Sequence, residues 1–377
     1  MDEPAKTGNP VVFVFAGGGT GGHLYPALAI AKELEKTVGK CEIHFVGTKK
    51  GIENRVVPDY GYPLHLISVR GVTRKPTPTN AVVPFRVLWS LLQCGRILCK
   101  TRPAAVVGTG GYVSGPVLFM ASLLGYPTLI QEQNSYPGVT TRLLAKRAKR
   151  VHLSFKESLK YFKKQSNLIV SGNPVRDLRI RLSKKEARQH FNLEAEKSTL
   201  LVFGGSQGAV AINHAVLDSL EMLMHETDVQ IIWSTGKTGF QEVQERIKEY
   251  SNRIWISNYI DEMQVAYAAS DLVISRAGAM TLAEITMYRL PSILIPYPYA
   301  AAGHQLANAR SLEKSGAAVV IVEKDLEGYI LAKEISRLLD DSNTLKKMQQ
   351  AAGNAAFPNA TTEIVKSVLE ISRLKGR

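Results

Sequence analysis

The chain has 377 residues, a length that suits two ordinary domains better than one. Hydrophobic residues make up 45% of it and charged residues 21%, and no low-complexity tract or internal repeat occurs, which excludes fibrous, disordered and solenoid proteins. Three cysteines without metal-ligand spacing exclude a disulfide scaffold and a zinc finger, and they fit a reduced, cytosolic protein.

A net charge of +14 points to an anionic partner, and most of the excess lies in two segments. The segment 142–188 has 15 Lys or Arg against three acidic residues, and 70–102 has seven basic residues and none that are acidic. Nucleic acid, an anionic membrane and a phosphorylated substrate would each suit such a surface, and so would plain solvation. Charge alone does not decide between them.

Short apolar runs alternate with amphipathic runs along the chain, a pattern that predicts α/β layers. In the first half, strands are predicted at 11–15, 43–46 and 104–107, with a helix at 26–36. The pattern restarts after a domain junction near 172–181, so the sequence predicts two doubly wound units in tandem. The predicted strands of the second unit are 199–203, 231–234, 254–256, 272–275, 293–295 and 319–322.

A helix predicted at 84–100 combines a basic stripe with a broad apolar face. Arg86 and Arg96 lie on the stripe, Trp89 falls at its margin, and Phe85 lies on the apolar face. This arrangement is typical of a helix at a membrane interface, and we expect these four residues to form a membrane surface. A core helix with a polar outer stripe is the alternative.

Four glycine-containing loops follow predicted strands. The first, 17–23, reads Gly-Gly-Gly-Thr-Gly-Gly-His, and the second, 108–116, lies in the same half of the chain. Glycine lets the backbone approach a ligand closely, and the helix that follows offers N–H groups to a phosphate. Close packing of strand and helix would explain either loop alone, but the two together favour a diphosphate site in the first half.

The third and fourth loops, 204–208 and 276–281, repeat the device in the second half. The Ser206 hydroxyl and nearby N–H groups are predicted to hold a phosphate. One turn after the fourth loop, Glu284 is placed to accept hydrogen bonds from two ribose hydroxyls, although an ordinary exposed glutamate would give the same pattern. His23, at the end of the first loop, is a candidate general base, with capping or packing as its alternative role.

The sequence lacks the residues that several other kinds of enzyme need. Gly17, Gly19 and Gly22 fit a dinucleotide fingerprint, but that fingerprint needs an acidic residue at the end of the second strand, and Glu42 begins that strand. The sequence has no Asp-X-Asp pair, and no lysine of a phosphate loop follows any of the glycine loops. The remaining prediction is a sugar transferase without a bound metal, which relies on backbone dipoles.

The motifs, in their order and spacing, resemble those of the MurG family, the peptidoglycan glycosyltransferases of glycosyltransferase family 28. The resemblance extends over nearly the full length, and its motifs are weak singly but highly specific together. The matching segments are 18–23, 110–116, 132–134, 172–176, 204–208 and 276–279.

The resemblance implies an α/β protein of the GT-B fold, in which two Rossmann-like doubly wound domains face a central cleft. It implies an acceptor- and membrane-associated domain at 1–176, with a C-terminal helix at 357–377 packing back on it, and a UDP-GlcNAc-binding domain at 177–356. The implied reaction moves GlcNAc from UDP-GlcNAc to the C4 hydroxyl of the muramyl sugar of lipid I, with inversion, and forms lipid II. The implied location is peripheral, on the cytoplasmic face of the bacterial inner membrane.

The resemblance also implies roles for individual residues. His23 is the candidate base. The acceptor diphosphate would meet Gly18, Gly19, Gly110, Gly111 and Tyr112. The donor would meet Thr20, Gly21, Gly22, Asn134, Arg176, Ser206, Ile260 (through its backbone), Ala279, Met280, Thr281, Leu282, Ala283, Glu284 and Gln305. Anionic lipid and proteins of cell-wall synthesis or division are implied as partners, whereas a metal, a cofactor and nucleic acid are not expected.

Two places depart from the family pattern. Gln131 stands where the family often has a histidine, and 300–304 lacks the acidic residues usual before Gln305, which bears on the sugar contacts and the donor selectivity. Three alternatives stay open from the sequence. They are a glycolipid synthase of the same fold that adds a sugar to diacylglycerol, a UDP-sugar 2-epimerase, and a basic membrane- or nucleic-acid-binding module without enzymatic activity.

Overall fold

The structure, a computed structural model, describes residues 10–69, 83–163, 165–175, 181–205 and 208–372. Within the helix that begins at residue 83, the side chains of residues 83, 84 and 86 are not described. Arg176, Ser206 and the side chain of Arg86 therefore lie outside the described part, and their roles stay predictions.

The first unit contains a parallel sheet of seven strands. The strands are β1 Val11–Gly17, β2 Cys41–Gly47, β3 Leu64–Leu66, β4 Ala105–Gly110, β5 Thr128–Glu132, β6 Arg150–Leu153 and β7 Leu168–Val170. They lie in the order β3-β2-β1-β4-β5-β6-β7. The helices are α1 Gly21–Val38, α2 Glu53–Asp59, α3 Val83–Thr101, α4 Gly111–Leu123 and α5 Val139–Leu144, with a 3₁₀ turn at Lys156–Tyr161.

The side chains of β1 alternate between two cores, as the two-residue period of a strand requires. Phe13 and Phe15 pack with apolar residues of α1, whereas Val14 and Ala16 belong to the core formed with α3 and α4. All four side chains are fully buried. Helices therefore cover both faces of the sheet, which is why its strands read as continuous apolar runs in the sequence.

The second unit contains a parallel sheet of six strands in the order β10-β9-β8-β11-β12-β13. These strands are β8 Thr199–Phe203, β9 Gln230–Ser234, β10 Ile254–Ser257, β11 Leu272–Ser275, β12 Ser292–Leu294 and β13 Ala318–Val320. The helices are α6 Lys184–His190, α7 Val210–Glu226, α8 Phe240–Arg246, α9 Met263–Ala269, α10 Ala279–Met287, α11 His304–Lys314, α12 Gly328–Asp340 and α13 Ser342–Ala355. Short 3₁₀ turns occur at Lys248–Tyr250, Ala301–Gly303 and Glu323–Asp325.

The last helix, α14 Ala360–Ile371, belongs to the first unit. Its buried residues Ile364, Val365 and Val368 join the core that contains Phe13 and Phe15. The two compact units are thus 1–176 with 359–377, and 177–358. The chain returns to the first unit at residue 359, two residues after the start predicted for the returning segment.

The α/β class and the doubly wound strand order agree with the prediction. One helix differs, because α1 begins at Gly21 and not at residue 26. The carbonyl of Thr20 accepts hydrogen bonds from the N–H groups of His23 and Leu24, both at 3.2 Å, so the glycines form the first helical turn. Glycine is a poor helix former, and Pro26 follows, so the apolar pattern alone did not reveal this turn.

Candidate active site

The first two glycine loops meet at the point where the strand order of the first unit reverses. β1 and β4 are neighbours there, and Gly17 pairs with Gly110 at their carboxyl ends. Open α/β sheets bind ligands at such switch points. A Cβ on Gly111 would stand 2.3 Å from the carbonyl oxygen of Gly18, so the two loops approach more closely than any side chain would allow.

Two hydroxyl groups fasten these loops to each other. Thr109 donates from Oγ1 to the carbonyl of His23 at 2.7 Å, and Ser114 donates from Oγ to the carbonyl of Ala16. The N–H of Gly110 in turn donates to Ser114 Oγ at 3.0 Å. The start of α1, with His23 in its first turn, is therefore positioned directly by the second loop.

The buried carboxylate of Glu53, which was not predicted from the sequence, holds the first loop in place. Glu53 is 1% exposed and accepts hydrogen bonds from the N–H of Gly19 at 2.8 Å and from the N–H and hydroxyl of Thr48, both at 2.9 Å. The Thr48 hydroxyl also lies 3.2 Å from the hydroxyl of Tyr112 in the second loop. The Gly19 N–H is thus used inside the protein, so a phosphate at this loop would be bound by other groups.

Glycines surround the Glu53 side chain. A Cβ on Gly18, Gly47 or Gly51 would lie 2.6, 2.4 or 2.1 Å from it. A lone glutamate that follows two glycines just after a strand is the sequence signal that could have revealed this role. The Glu53 carboxylate fixes the backbone of the first glycine loop, the part that an external phosphate would otherwise bind.

We expect Glu53→Ala to lower the free energy of unfolding by about 3 kcal/mol, because three buried or half-buried donors lose their acceptor. Urea unfolding followed by circular dichroism measures this change. Glu42→Ala is the matched control, since the Glu42 side chain is 56% exposed and should change stability by less than about 0.5 kcal/mol. Equal midpoints for the two variants would refute the anchoring role of Glu53.

Beyond the loops, the carboxyl end of β5 carries Gln133 and Asn134. The imidazole Nδ1 of His23 lies 3.3 Å from Oε1 of Gln133. Asn134 is half-buried, and its N–H donates to Glu132 Oε1 at 3.1 Å. Thr20, Gly21, Gly22, His23 and Asn134 therefore all lie at the carboxyl edge of one sheet.

The second unit repeats this arrangement. Its strand order reverses between β8 and β11, where the third and fourth loops begin. The predicted donor residues follow the carboxyl ends of β10, β11 and β12, which brings Ile260, the start of α10 and Gln305 to one edge of the sheet. The side chains of Ile260 and Leu282 are buried, at 3% and 1% exposed, so only their backbones can face a ligand.

Glu284 lies on the second turn of α10, after the fourth loop. Its Oε2 accepts a hydrogen bond from the hydroxyl of Tyr267 on α9 at 2.9 Å. Tyr267 is 1% exposed, so the tyrosine orients the carboxylate from the protein interior. Tyr267 was not predicted as a site residue, because its sequence pattern is that of a core aromatic.

The segment before α11 forms a compact loop. Oε1 of Gln305 accepts from the N–H of Tyr297 at 2.9 Å, which leaves the amide nitrogen of Gln305 as its donor for a ligand. Ala302 and Gly303 both have positive φ, at 53° and 65°. Tyr299 is 82% exposed on this loop. The acidic residues usual in the family are thus replaced by a turn of small residues beside exposed aromatic rings.

The helix α3 exposes much of its apolar face. Among its described side chains, those of Ser90, Cys94 and Leu98 are buried, and that of Arg96 is exposed. We call the exposed apolar residues the α3 patch, which consists of Phe85 (74% exposed), Val87, Leu88, Trp89 (50% exposed) and Leu92. A core helix would bury these side chains, so their exposure favours an interfacial role.

Two further features of the described ranges concern metals and membranes. In those ranges no three His, Cys, Asp or Glu side chains gather where they could hold a metal ion. Of the helices that the structure describes, none has the length and hydrophobicity needed to span a bilayer.

Comparisons with known proteins agree with this fold. Two family models match the chain. The glycosyltransferase family 28 N-terminal domain matches residues 13–153, and the C-terminal domain of the same family matches residues 199–364. A crystal structure of Acinetobacter baumannii MurG superposes with a TM-score of 0.79 and 30% identity, covering 96% of this chain and 100% of that one. A putative UDP-N-acetylglucosamine 2-epimerase from Listeria monocytogenes shares the fold alone, with a TM-score of 0.69 and 14% identity.

The curated relatives are closer in sequence. A protein of Chlorobaculum parvum is 47% identical over 364 residues, 96% of this chain and 99% of its own. A protein of Thermoanaerobacter sp. is 43% identical over 364 residues, 96% of this chain and 100% of its own. Both are named UDP-N-acetylglucosamine–N-acetylmuramyl-(pentapeptide) pyrophosphoryl-undecaprenol N-acetylglucosamine transferase.

Two Rossmann-like units with loops at both switch points define the GT-B fold. The two family models place the chain among the glycosyltransferases of that fold. Within that class, the chain belongs to the MurG family of glycosyltransferase family 28. The resemblance inferred from the sequence motifs is therefore confirmed.

Proposed function

We propose that this chain transfers GlcNAc from UDP-GlcNAc to the C4 hydroxyl of the muramyl sugar of undecaprenyl-pyrophosphoryl-MurNAc-pentapeptide, lipid I, and so forms lipid II. The observation that carries the proposal is the 47% identity, over 96% of the chain, to a relative named for this reaction. The paired loops at the switch points of both units support it, because donor and acceptor each contain a diphosphate.

The second unit binds most of the donor in this proposal. The positive N-terminal end of α10, at Ala279–Thr281, faces the UDP phosphates, and Glu284 accepts from the ribose hydroxyls. Ile260 meets uracil through its backbone, and the Gln305 amide donates to the sugar. The start of α10 also stabilises the charge that develops on UDP as it leaves.

The first unit binds the acceptor. The loops at Gly18 and at Gly110–Tyr112 receive the lipid diphosphate, and His23 removes the proton from the attacking hydroxyl. The hydroxyl O–H bond breaks and its proton passes to imidazole Nε2 as the oxygen bonds to the anomeric carbon. The bond from that carbon to the UDP oxygen breaks with its electron pair, so the configuration inverts.

In this proposal the protein binds peripherally to an anionic membrane, because the acceptor is anchored there by its lipid. The α3 patch enters the interface, and Arg96 approaches the lipid phosphates. Nucleotide sugars are cytosolic, so we place the protein on the cytoplasmic face of the inner membrane. Partners among cell-wall synthesis and division proteins stay a prediction from the resemblance.

The double substitution Phe85→Ser with Trp89→Ser is expected to weaken binding to anionic vesicles by at least about tenfold, since burial of one aromatic side chain is worth about 1.5–3 kcal/mol. Vesicle flotation measures the bound fraction. Tyr329→Ser is the control, because Tyr329 is 58% exposed on α12 of the other unit. Unchanged flotation of the double variant would remove the α3 patch from the membrane surface.

The proposed reaction is tested with labelled UDP-GlcNAc and two acceptors, a short-chain lipid I analogue and diacylglycerol. We expect transfer to the lipid I analogue alone, and equally fast with EDTA. Transfer to diacylglycerol alone would establish the glycolipid synthase, and loss of transfer in EDTA would show that a metal participates. Release of a 2-epimerised sugar without an acceptor would establish the epimerase.

A further inference from the structure

A chain of buried amide side chains lies behind His23 in the first unit. Its members are Gln131, Gln133 and Asn173, which are 0%, 2% and 5% exposed. Oxygen and nitrogen of a carboxamide occupy nearly the same volume, so their assignment must follow from their partners. Here two backbone carbonyls, which can only accept hydrogen bonds, decide the assignment.

The first fixed point is the carbonyl of Gln133. It accepts from Nδ2 of Asn173 at 3.1 Å, so Oδ1 of Asn173 is the acceptor end of that side chain. That oxygen accepts from Nε2 of Gln131 at 3.0 Å and from the hydroxyl of Ser154 at 2.7 Å. Oε1 of Gln131 is therefore directed away from Asn173, toward Gln133.

The second fixed point is the carbonyl of Thr109. It accepts from Nε2 of Gln133 at 2.6 Å, and the same nitrogen donates to Oε1 of Gln131. Both neighbours of this nitrogen are acceptors, so it must be the NH₂ end. Oε1 of Gln133 consequently faces His23, with 3.3 Å between it and Nδ1.

An amide oxygen cannot donate, so His23 must donate from Nδ1. We propose that Gln133 is a positioning residue that holds His23 in the tautomer protonated on Nδ1, so that the lone pair of Nε2 receives the proton of the acceptor hydroxyl. The proposal rests on the role proposed for His23 as the base. It extends that role, because a hydrogen-bond partner on one ring nitrogen selects the nitrogen that acts as base.

The geometry also gives Gln131 a function. Its Nε2 donates to Asn173 and its Oε1 accepts from Gln133, so the orientation of Asn173 determines which end of Gln131 faces Gln133. No charged group is needed for this. The His23 imidazole thus has a neutral acceptor behind it, in contrast to the carboxylate of a serine-protease triad. A neutral acceptor selects the tautomer but gives little extra stability to the protonated ring.

The direct test is the tautomer of His23 in the full-length wild-type protein. Two-bond ¹H–¹⁵N correlations of ¹⁵N-histidine-labelled protein distinguish the two nitrogens at about pH 8.5, well above the ordinary imidazole pKa. The His23→Ala spectrum identifies the signals of His23. We expect protonation on Nδ1, whereas a ring protonated mainly on Nε2, the form favoured in water, would overturn the proposal.

A variant then tests whether Gln133 is the cause. Gln133→Leu removes the acceptor, so we expect Nε2–H to become the major form and kcat to fall about 10²-fold, with KM for UDP-GlcNAc changed less than about twofold. An unchanged tautomer or an unchanged kcat in the folded variant would overturn the role of Gln133. If Gln133→Leu does not fold, the wild-type tautomer still decides.

The two proposals fail in distinguishable ways. An Nδ1–H tautomer in wild type combined with full turnover of His23→Ala would reject the base and keep the positioning contact. An Nε2–H tautomer combined with an inactive His23→Ala would keep the base and reject the role of Gln133.

Discussion

Replacing His23 with alanine is expected to lower kcat by about 10²- to 10⁴-fold, the range of a positioned general base. The affinity for UDP should stay within about twofold, because His23 lies in the first unit and the proposed nucleotide residues Ile260, Ala279–Thr281 and Glu284 lie in the second. Steady-state kinetics with the lipid I analogue, and calorimetric titration with UDP, measure the two quantities separately.

The control for this variant is His190→Ala, since His190 belongs to the second unit and its side chain is 45% exposed, 3.4 Å from the Glu262 carboxylate. That variant should keep full turnover. A loss confined to UDP affinity in His23→Ala, with kcat retained, would contradict the assignment of His23 as base and make it a binding residue.

Replacing Glu284 with alanine is expected to weaken UDP binding by about 10- to 150-fold, since hydrogen bonds to a charged acceptor contribute about 1.5–3 kcal/mol. The carboxylate is held in place by the Tyr267 hydroxyl, so it is oriented before the ribose arrives. Calorimetry with UDP measures the loss. Glu262→Ala is the control, with a side chain 57% exposed in the same unit.

A double-mutant cycle makes the Glu284 assignment specific to the ribose. UDP lacking both ribose hydroxyls should bind wild type weakly, and it should bind Glu284→Ala about as weakly, because the two changes remove one interaction. Additive losses would place Glu284 elsewhere. Tyr267→Phe, which removes only the orienting hydroxyl, should cause a smaller loss of about 1 kcal/mol.

The fold was largely predictable from the sequence. The strand predicted at 11–15 lies within β1, because alternating valine and phenylalanine suit a strand that is covered on both faces. The loops at 17–23 and 108–116 converge because a doubly wound sheet reverses its order between β1 and β4. Because a glycine loop follows each of these two strands, the sequence was enough to predict a binding site at the carboxyl edge of the sheet.

The supporting residues could not be predicted in the same way. Gln133 and His23 are 110 positions apart, and Glu53 and Gly19 are 34 apart, so no local pattern connects them. Tyr267 has the sequence pattern of a core aromatic, and its hydroxyl contact with Glu284 depends on how α9 packs beside α10. Such contacts follow from tertiary packing and not from residue type.

For the helix α3, the sequence pattern alone could not decide between a core helix and an interfacial helix. A basic stripe and a broad apolar face fit a core helix and an interfacial helix equally well, since both need one apolar side. Only the packing decides, and it leaves Phe85 and Trp89 exposed. Exposure of large apolar side chains beside Arg96 is what supports the membrane surface.

The proposed reaction is a single inverting displacement by the muramyl hydroxyl. The most direct test is the linkage of the product that the protein forms from UDP-GlcNAc and a lipid I analogue, determined by nuclear magnetic resonance. We expect a β-linked GlcNAc on the C4 oxygen of the muramyl sugar, because the donor sugar is α-linked to UDP. An α-linked product, a different oxygen or no transfer to this acceptor would contradict it.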